Sequence, residues 1–143
     1  MATLITDPIL SDQLIEQRRA TGADRWDETW EGIYMMTPMP NDEHQDIVGA
    51  LTSILREVVQ LTGKGCVRPG VNITDETDDW TTNYRCPDVV AFLNDTSAVC
   101  HDTHWLGGPD FLIEVVSPDD RTRDKLDFYA KVGTREVLLV ESA

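Results

Sequence analysis

Three short runs of aliphatic and β-branched residues dominate the second half of this chain: Val89-Val90-Ala91-Phe92-Leu93, Phe111-Leu112-Ile113-Glu114-Val115-Val116 and Glu136-Val137-Leu138-Leu139-Val140. Their length and composition are those of buried strands. A stretch long enough for one helix separates the last two, and strand, helix, strand at that length implies a right-handed parallel crossover. Two carboxylates interrupt this apolar frame. Asp88 directly precedes the first run and Glu114 sits inside the second. An ionised group in such a place is costly unless something compensates it, and a divalent cation is one good compensator. Two acids on neighbouring strand ends make a hard-oxygen site suited to Mg²⁺ or Mn²⁺, the arrangement that metal-dependent phosphodiester hydrolysis requires.

The rest of the chain supplies the elements around these strands. Residues 9–19 read as a first helix, with Ser11 or Asp12 able to cap an early turn. Residues 30–36 read as a strand or half of a hairpin, and the two prolines of Thr37-Pro38-Met39-Pro40-Asn41-Asp42 make a loop. From Glu43 to Thr62, Ile47, Leu51, Ile54, Leu55, Val58 and Leu61 recur at helical spacing. Val67 to Ile73 reads as a further strand, and residues 94–110 as an irregular stretch. A second long helix is expected from Pro118 to Val132, opened by the capping box Ser117-Pro118-Asp119-Asp120 and stopped by Gly133. The fold class is therefore α/β or α+β, a mixed sheet with helices on its faces.

All 143 residues fit one domain, with 1–25 as an N-terminal helix and connection and 26–143 as the core. The chain stops directly after its last strand, so C-terminal strands of the parent fold are expected to be missing. No apolar run reaches the roughly 20 residues of a membrane-spanning helix, and the N-terminus lacks the regions of a signal peptide. The 3 widely spaced cysteines point to a reducing cytoplasm. The net charge of -14 weighs against a nucleic-acid ligand, because phosphate neutralisation dominates such binding. A local basic group, Arg121, Arg123, Lys125, Lys131 and Arg135, follows Glu114. It is as well suited to balancing neighbouring acids as to contacting phosphate.

The order Pro87-Asp88, Glu114-Val115-Val116-Ser117-Pro118, Lys125-Leu126-Asp127-Phe128-Tyr129, Gly133 and Glu136-Val137-Leu138-Leu139-Val140 resembles the bacterial restriction-endonuclease-like family often called the Uma family. That family is a branch of the PD-(D/E)XK nuclease superfamily. Upstream, Glu31-Gly32-Ile33-Tyr34-Met35-Met36-Thr37-Pro38 and His44 are similar to its N-terminal half. The resemblance implies a restriction-endonuclease-like core and a Mg²⁺-dependent endonuclease acting on DNA. It makes Asp88 and Glu114 the metal-binding acids, and the Val115 carbonyl is a further candidate ligand. Val116 stands where the superfamily pattern has lysine, and Lys125 from the next helix matches the lysine used instead. If Ser117 caps that helix, Lys125 lies about 12 Å along its axis, too far to reach back. With Asp120 as the cap the offset falls to about 7 Å, which a lysine stem covers. His44 and Glu31 are additional candidates for the site; either could equally be an ordinary surface charge.

Two rival readings accompany the nuclease. One is a binding or regulatory module that keeps the fold without catalysis, favoured by Val116, the acidic total and the short C-terminus. The other is a zinc-stabilised domain built on Cys100-His101-x-x-His104, which would need a fourth ligand from Cys66 or Cys86. A homodimer suits an enzyme that cuts two strands, but no residue demonstrates one.

Overall fold

Asp7 starts the first helix, α1 (Pro8–Thr21), by accepting the Leu10 amide at 2.9 Å, and Gly22 closes it at φ 75°. The cap falls here, ahead of Ser11 and Asp12, because a proline in the first turn needs no amide partner and brings a preset φ. These features belong to a computed structural model that describes Thr3 and residues 5–142. None of the residues of α1 is buried. The helix is held by one polar hub instead. Arg18 grips the Asp27 carboxylate through two nitrogens at 2.6 and 2.7 Å, and Tyr34 Oη and the Thr37 amide donate to the same carboxylate at 2.8 and 2.7 Å.

The stretch expected as one strand over 30–36 is a tight antiparallel hairpin, β1 (Glu28–Trp30) and β2 (Ile33–Met35), turned at Glu31 and Gly32. Both turn residues have positive φ, 49° and 85°, a demand that glycine meets without strain at the second position. Next, Asn41 accepts the His44 amide at 2.8 Å and caps α2 (Asp42–Leu55), which continues into a π-helical turn over Arg56–Gln60. Ile47, Leu51, Leu55 and Val59 pack inward at steps of four. Four residues overshoot one 3.6-residue turn, and a wider π turn takes up that drift. Ile54, Val58 and Leu61, expected on the same stripe, face solvent.

Two sheets follow. In the first, β6 (Val89–Leu93) pairs antiparallel with β3 (Gly65–Pro69) and with β9 (Phe111–Val116), and β9 pairs in parallel with β10 (Glu136–Glu141). The order β10-β9-β6-β3 makes the expected mixed sheet. Gly65 meets its neighbour so closely that a Cβ there would sit 2.1 Å from the Phe92 carbonyl oxygen. The predicted strand over 67–73 breaks at Pro69, and Ile73 belongs to β4 (Ile73–Thr74) of the other sheet. That six-stranded sheet adds β5 (Tyr84–Arg85), β7 (Val99–Cys100) and β8 (Trp105–Leu106) to the hairpin and β4. A small hairpin, β7 with β8, thus lies within the stretch expected to be irregular.

Side chains of β6 and β9 alternate between two cores. Val90, Phe92 and Leu112 meet Ile73, Phe128 and Tyr129 on one face; Val89, Ala91, Ile113 and Val115 meet Val48 of α2 on the other. The short helix α3 (Leu126–Lys131) connects β9 to β10 after a 3₁₀ turn over Thr122–Lys125. Among the described residues no helix is long and apolar enough to cross a membrane.

Candidate active site

Where the helix before β10 begins decides what its lysine can touch. Ser117 does not cap it. The Asp120 carboxylate accepts the amides of Ser117 at 2.7 Å and Thr122 at 2.9 Å, and Asp119 between them turns at φ 64°. Helical structure therefore starts at Thr122, four residues later than the capping-box reading placed it. Lys125 falls close to the end of β9 in consequence. Its Nζ lies 2.6 Å from Glu114 Oε1 and 3.0 Å from Glu28 Oε2, with the residue only 7% exposed.

Three hydrogen-bond donors fix the carboxylates around that ammonium. Glu28 accepts the Cys86 amide at 2.6 Å through Oε2 and the Trp30 indole at 3.0 Å through Oε1. Tyr129 Oη donates to Glu114 Oε1 at 2.5 Å. Burial pushes the Glu114 carboxyl above its ordinary value, with Asp88 and Glu28 adding to it and Lys125 opposing. Burial works against the charge on Lys125, yet the two glutamates outweigh it and hold its pKa above the usual lysine range. One cation between two carboxylates keeps its own proton and leaves the acids short of positive charge.

Asp88 stands across from Glu114. The β6–β9 register runs Ala91↔Phe111, Val90↔Leu112, Val89↔Ile113, and one further step sets Asp88 opposite Glu114. Opposed residues on antiparallel strands carry their Cβ atoms about 4.5–5.5 Å apart on one face. Asp88 Oδ2 accepts the Val115 amide at 2.7 Å, which ties this acid to the end of β9. In an extended strand the N–H and C=O of one residue point to the same side, so the Val115 carbonyl also faces Asp88. His44, in the first turn of α2, brings Nε2 to 3.4 Å from Asp88 Oδ2. Asp88 raises the His44 pKa against the opposing effect of desolvation. The other ring nitrogen, Nδ1, is buried without a hydrogen-bond partner among the described residues.

These groups line one cleft of about 270 Å³, whose walls include Trp26, Glu28, Trp30, Met39, His44, Asp88, Glu114, Val115, Arg121 and Lys125. Glu31 is not among them. It occupies the exposed hairpin turn, where its amide donates to Asn83 Oδ1 at 2.9 Å. The hairpin turns the chain at Glu31 and Gly32, and the acid that enters the cleft is Glu28. Sequence reasoning missed Glu28 and Tyr129. A signal for Glu28 existed in its period-two spacing from Trp30 ahead of the Glu31-Gly32 turn pair.

The structure does not gather Cys100, His101 and His104 into a centre. Cys100 is exposed, the two imidazoles stack on each other with centroids 5.1 Å apart, and His104 also stacks on Trp80 at 4.9 Å. Among the described residues no group of three or more His, Cys, Asp or Glu side chains is placed to hold a metal. A centre at the cleft would rest on two carboxylates and a carbonyl. The donor set nonetheless suits a hard divalent ion. Glu114 Oε2 and Asp88 Oδ1 make no hydrogen bond among the described residues, and Mg²⁺ commonly uses one or two carboxylates with water completing its shell. The basic group is spent on acids. Arg121 pairs with Asp124, Arg123 with Glu141, Lys131 with Asp75 and Arg135 with Asp110.

Residues 17–143 match the protein family described as "Putative restriction endonuclease" (Uma2). The chain belongs to that family. Among solved structures, this Uma2 chain is similar to a protein from Anabaena variabilis ATCC 29413 described as "a putative nuclease belonging to DUF820". The TM-score is 0.64 and the identity 21%, covering 80% of this chain and 65% of that one. The likeness establishes a restriction-endonuclease-like fold, and the chain spans 65% of the length of its solved neighbour. No curated protein matches it.

Proposed function

We propose that this Uma2 chain is a Mg²⁺- or Mn²⁺-dependent endonuclease that hydrolyses DNA phosphodiester bonds in the cleft lined by Asp88, Glu114 and Lys125. The observation that carries the reading is the 2.6 Å contact between Lys125 Nζ and Glu114 Oε1. A lysine supplied by the following helix reaches the acid although Val116 fills the strand position where one is expected. Asp88, Glu114 and the Val115 carbonyl would hold the ion. When bound, such an ion polarises a phosphoryl oxygen, lowers the pKa of water and orients in-line attack.

The side chains do the remainder. Lys125 keeps its proton at neutral pH and therefore serves as a cation and hydrogen-bond donor, offsetting charge on the developing phosphorane; it is not the base. Glu28 steadies Lys125 from the far side, and Tyr129 fixes the Glu114 rotamer by holding Oε1. His44, which Asp88 favours in its charged form, can donate to a phosphate oxygen at the cleft wall.

Supercoiled plasmid incubated with the full chain and MgCl₂ should convert to nicked and linear forms. Glu114→Gln and Lys125→Met should each slow that conversion at least about 100-fold, in line with the loss of an electrostatic stabiliser, with circular dichroism confirming the fold. Cleavage by Glu114→Gln at the wild-type rate would sink the proposal. A second reading, a nuclease fold used only for binding, is favoured by the tight enclosure of Lys125 between Glu28 and Glu114. DNA binding by the wild type with no cleavage in Mg²⁺ or Mn²⁺ would establish it.

A further inference from the structure

We infer that the cleft receives nucleic acid through unpaired bases, as a single strand or a frayed end, and not through an intact duplex. The inference rests on the nuclease reading and names the substrate class of the same site. Duplex binders take most of their affinity from several phosphates neutralised by Lys and Arg. Here the net charge is -14, and of the five basic residues that follow Glu114 four are paired to acids on the surface and Lys125 is enclosed. What the cleft offers instead is planar and apolar. Trp26 and Trp30 line it with Pro38, Met39 and Pro40, and Met39 is 83% exposed at the mouth.

Each tryptophan also carries a guanidinium. Arg25 lies 4.5 Å from the Trp26 ring centroid and Arg121 5.3 Å from that of Trp30, while buried Arg85 contacts the Trp30 ring at 5.0 Å. Indole faces and guanidinium planes are the surfaces on which unpaired bases stack, whatever their sequence. In a duplex those base faces are already occupied by their neighbours. Trp30 is tied to the acids as well: its Nε1 donates to Glu28 Oε1, and Glu28 Oε2 meets Lys125. A base stacked on Trp30 is thereby held in a fixed relation to Glu114.

The test uses the full chain in CaCl₂, a fluorescein-labelled 12-nucleotide single strand and a blunt duplex of the same sequence. Anisotropy should show the single strand bound at least about tenfold more tightly, with quenching of tryptophan fluorescence on binding. Trp30→Ala and Arg121→Ala should each weaken single-strand binding by about fivefold or more. Arg121 is exposed, so its variant retains the fold if Trp30→Ala does not. Equal or tighter binding of the duplex, or an unchanged single-strand affinity in Arg121→Ala, overturns the inference. Selective single-strand binding without Glu114-dependent cleavage would fail the nuclease reading alone, whereas Glu114-dependent plasmid cleavage with duplex preference would fail this one alone.

Discussion

Lys125 is the only cation in contact with both Glu28 and Glu114 among the described residues, and each of its two partners is almost wholly removed from water. Taking one member from such a group leaves uncompensated buried charge, which costs about 3–5 kcal/mol. Lys125→Met should therefore lower unfolding stability by about that much at pH 8, read from the urea midpoint. The direction with pH follows from linkage. The Glu114 pKa lies above its unfolded value of 4.5, so above that value the folded chain holds a proton that the unfolded chain has released. Stability falls as pH rises through this window. Without Lys125 the effect grows, and the variant should recover part of its loss at pH 5. An equal deficit at both pH values would contradict this account. The residues that make the site were unequally legible. Asp88 and Glu114 stand out because charge inside apolar strands demands a reason. Glu28 sits in an acid-rich segment, Asp24 to Glu31, where its two-residue spacing from Trp30 is all that sets it apart from the neighbouring acids.

At the scale of elements, β3 and β6 approach so closely at Gly65 that no side chain can intervene. Gly65→Ala places a methyl carbon 2.1 Å from the backbone oxygen of Phe92. A backbone obstacle cannot rotate away, so the strand end must separate, costing roughly 1–3 kcal/mol in overpacking. Thermal unfolding should report a drop of several degrees, and no change would show that β3 can slide past the contact. The strands β6 and β9 were legible because both bury nearly every side chain and read as apolar runs broken only by Glu114, and β10, a half-exposed edge strand, because Val137-Leu138-Leu139-Val140 is β-prone throughout. The boundaries of the last helix were not. Pro118 and Ser117 satisfy the rules for a helix start, but the Asp120 carboxylate takes the Ser117 amide and folds the segment into a turn first. Nor could the π turn be read, since its role is to realign a stripe against a sheet that sequence alone does not position.

For the whole molecule, the restriction-endonuclease-like architecture brings to one cleft residues drawn from β1, α2, β9 and the turn before α3. That convergence is a property of topology, which explains why the family resemblance, and not periodicity, grouped Asp88, Glu114 and Lys125 as candidates. One peripheral element is attached on different terms. The first helix offers the domain no buried side chain; its bond is the guanidinium of Arg18 on an acid that is 1% exposed. Shortening the chain to begin at Ala23 should cost about 3–5 kcal/mol in denaturant unfolding, because a buried carboxylate loses its partner. Arg18→Met in the full-length chain should reproduce most of that loss; a deletion far more costly than the point change would show that packing matters after all. The helix thus works as a tether that keeps one ion at high effective concentration, and a shortened chain would lack a counter-ion more than it would lack a surface.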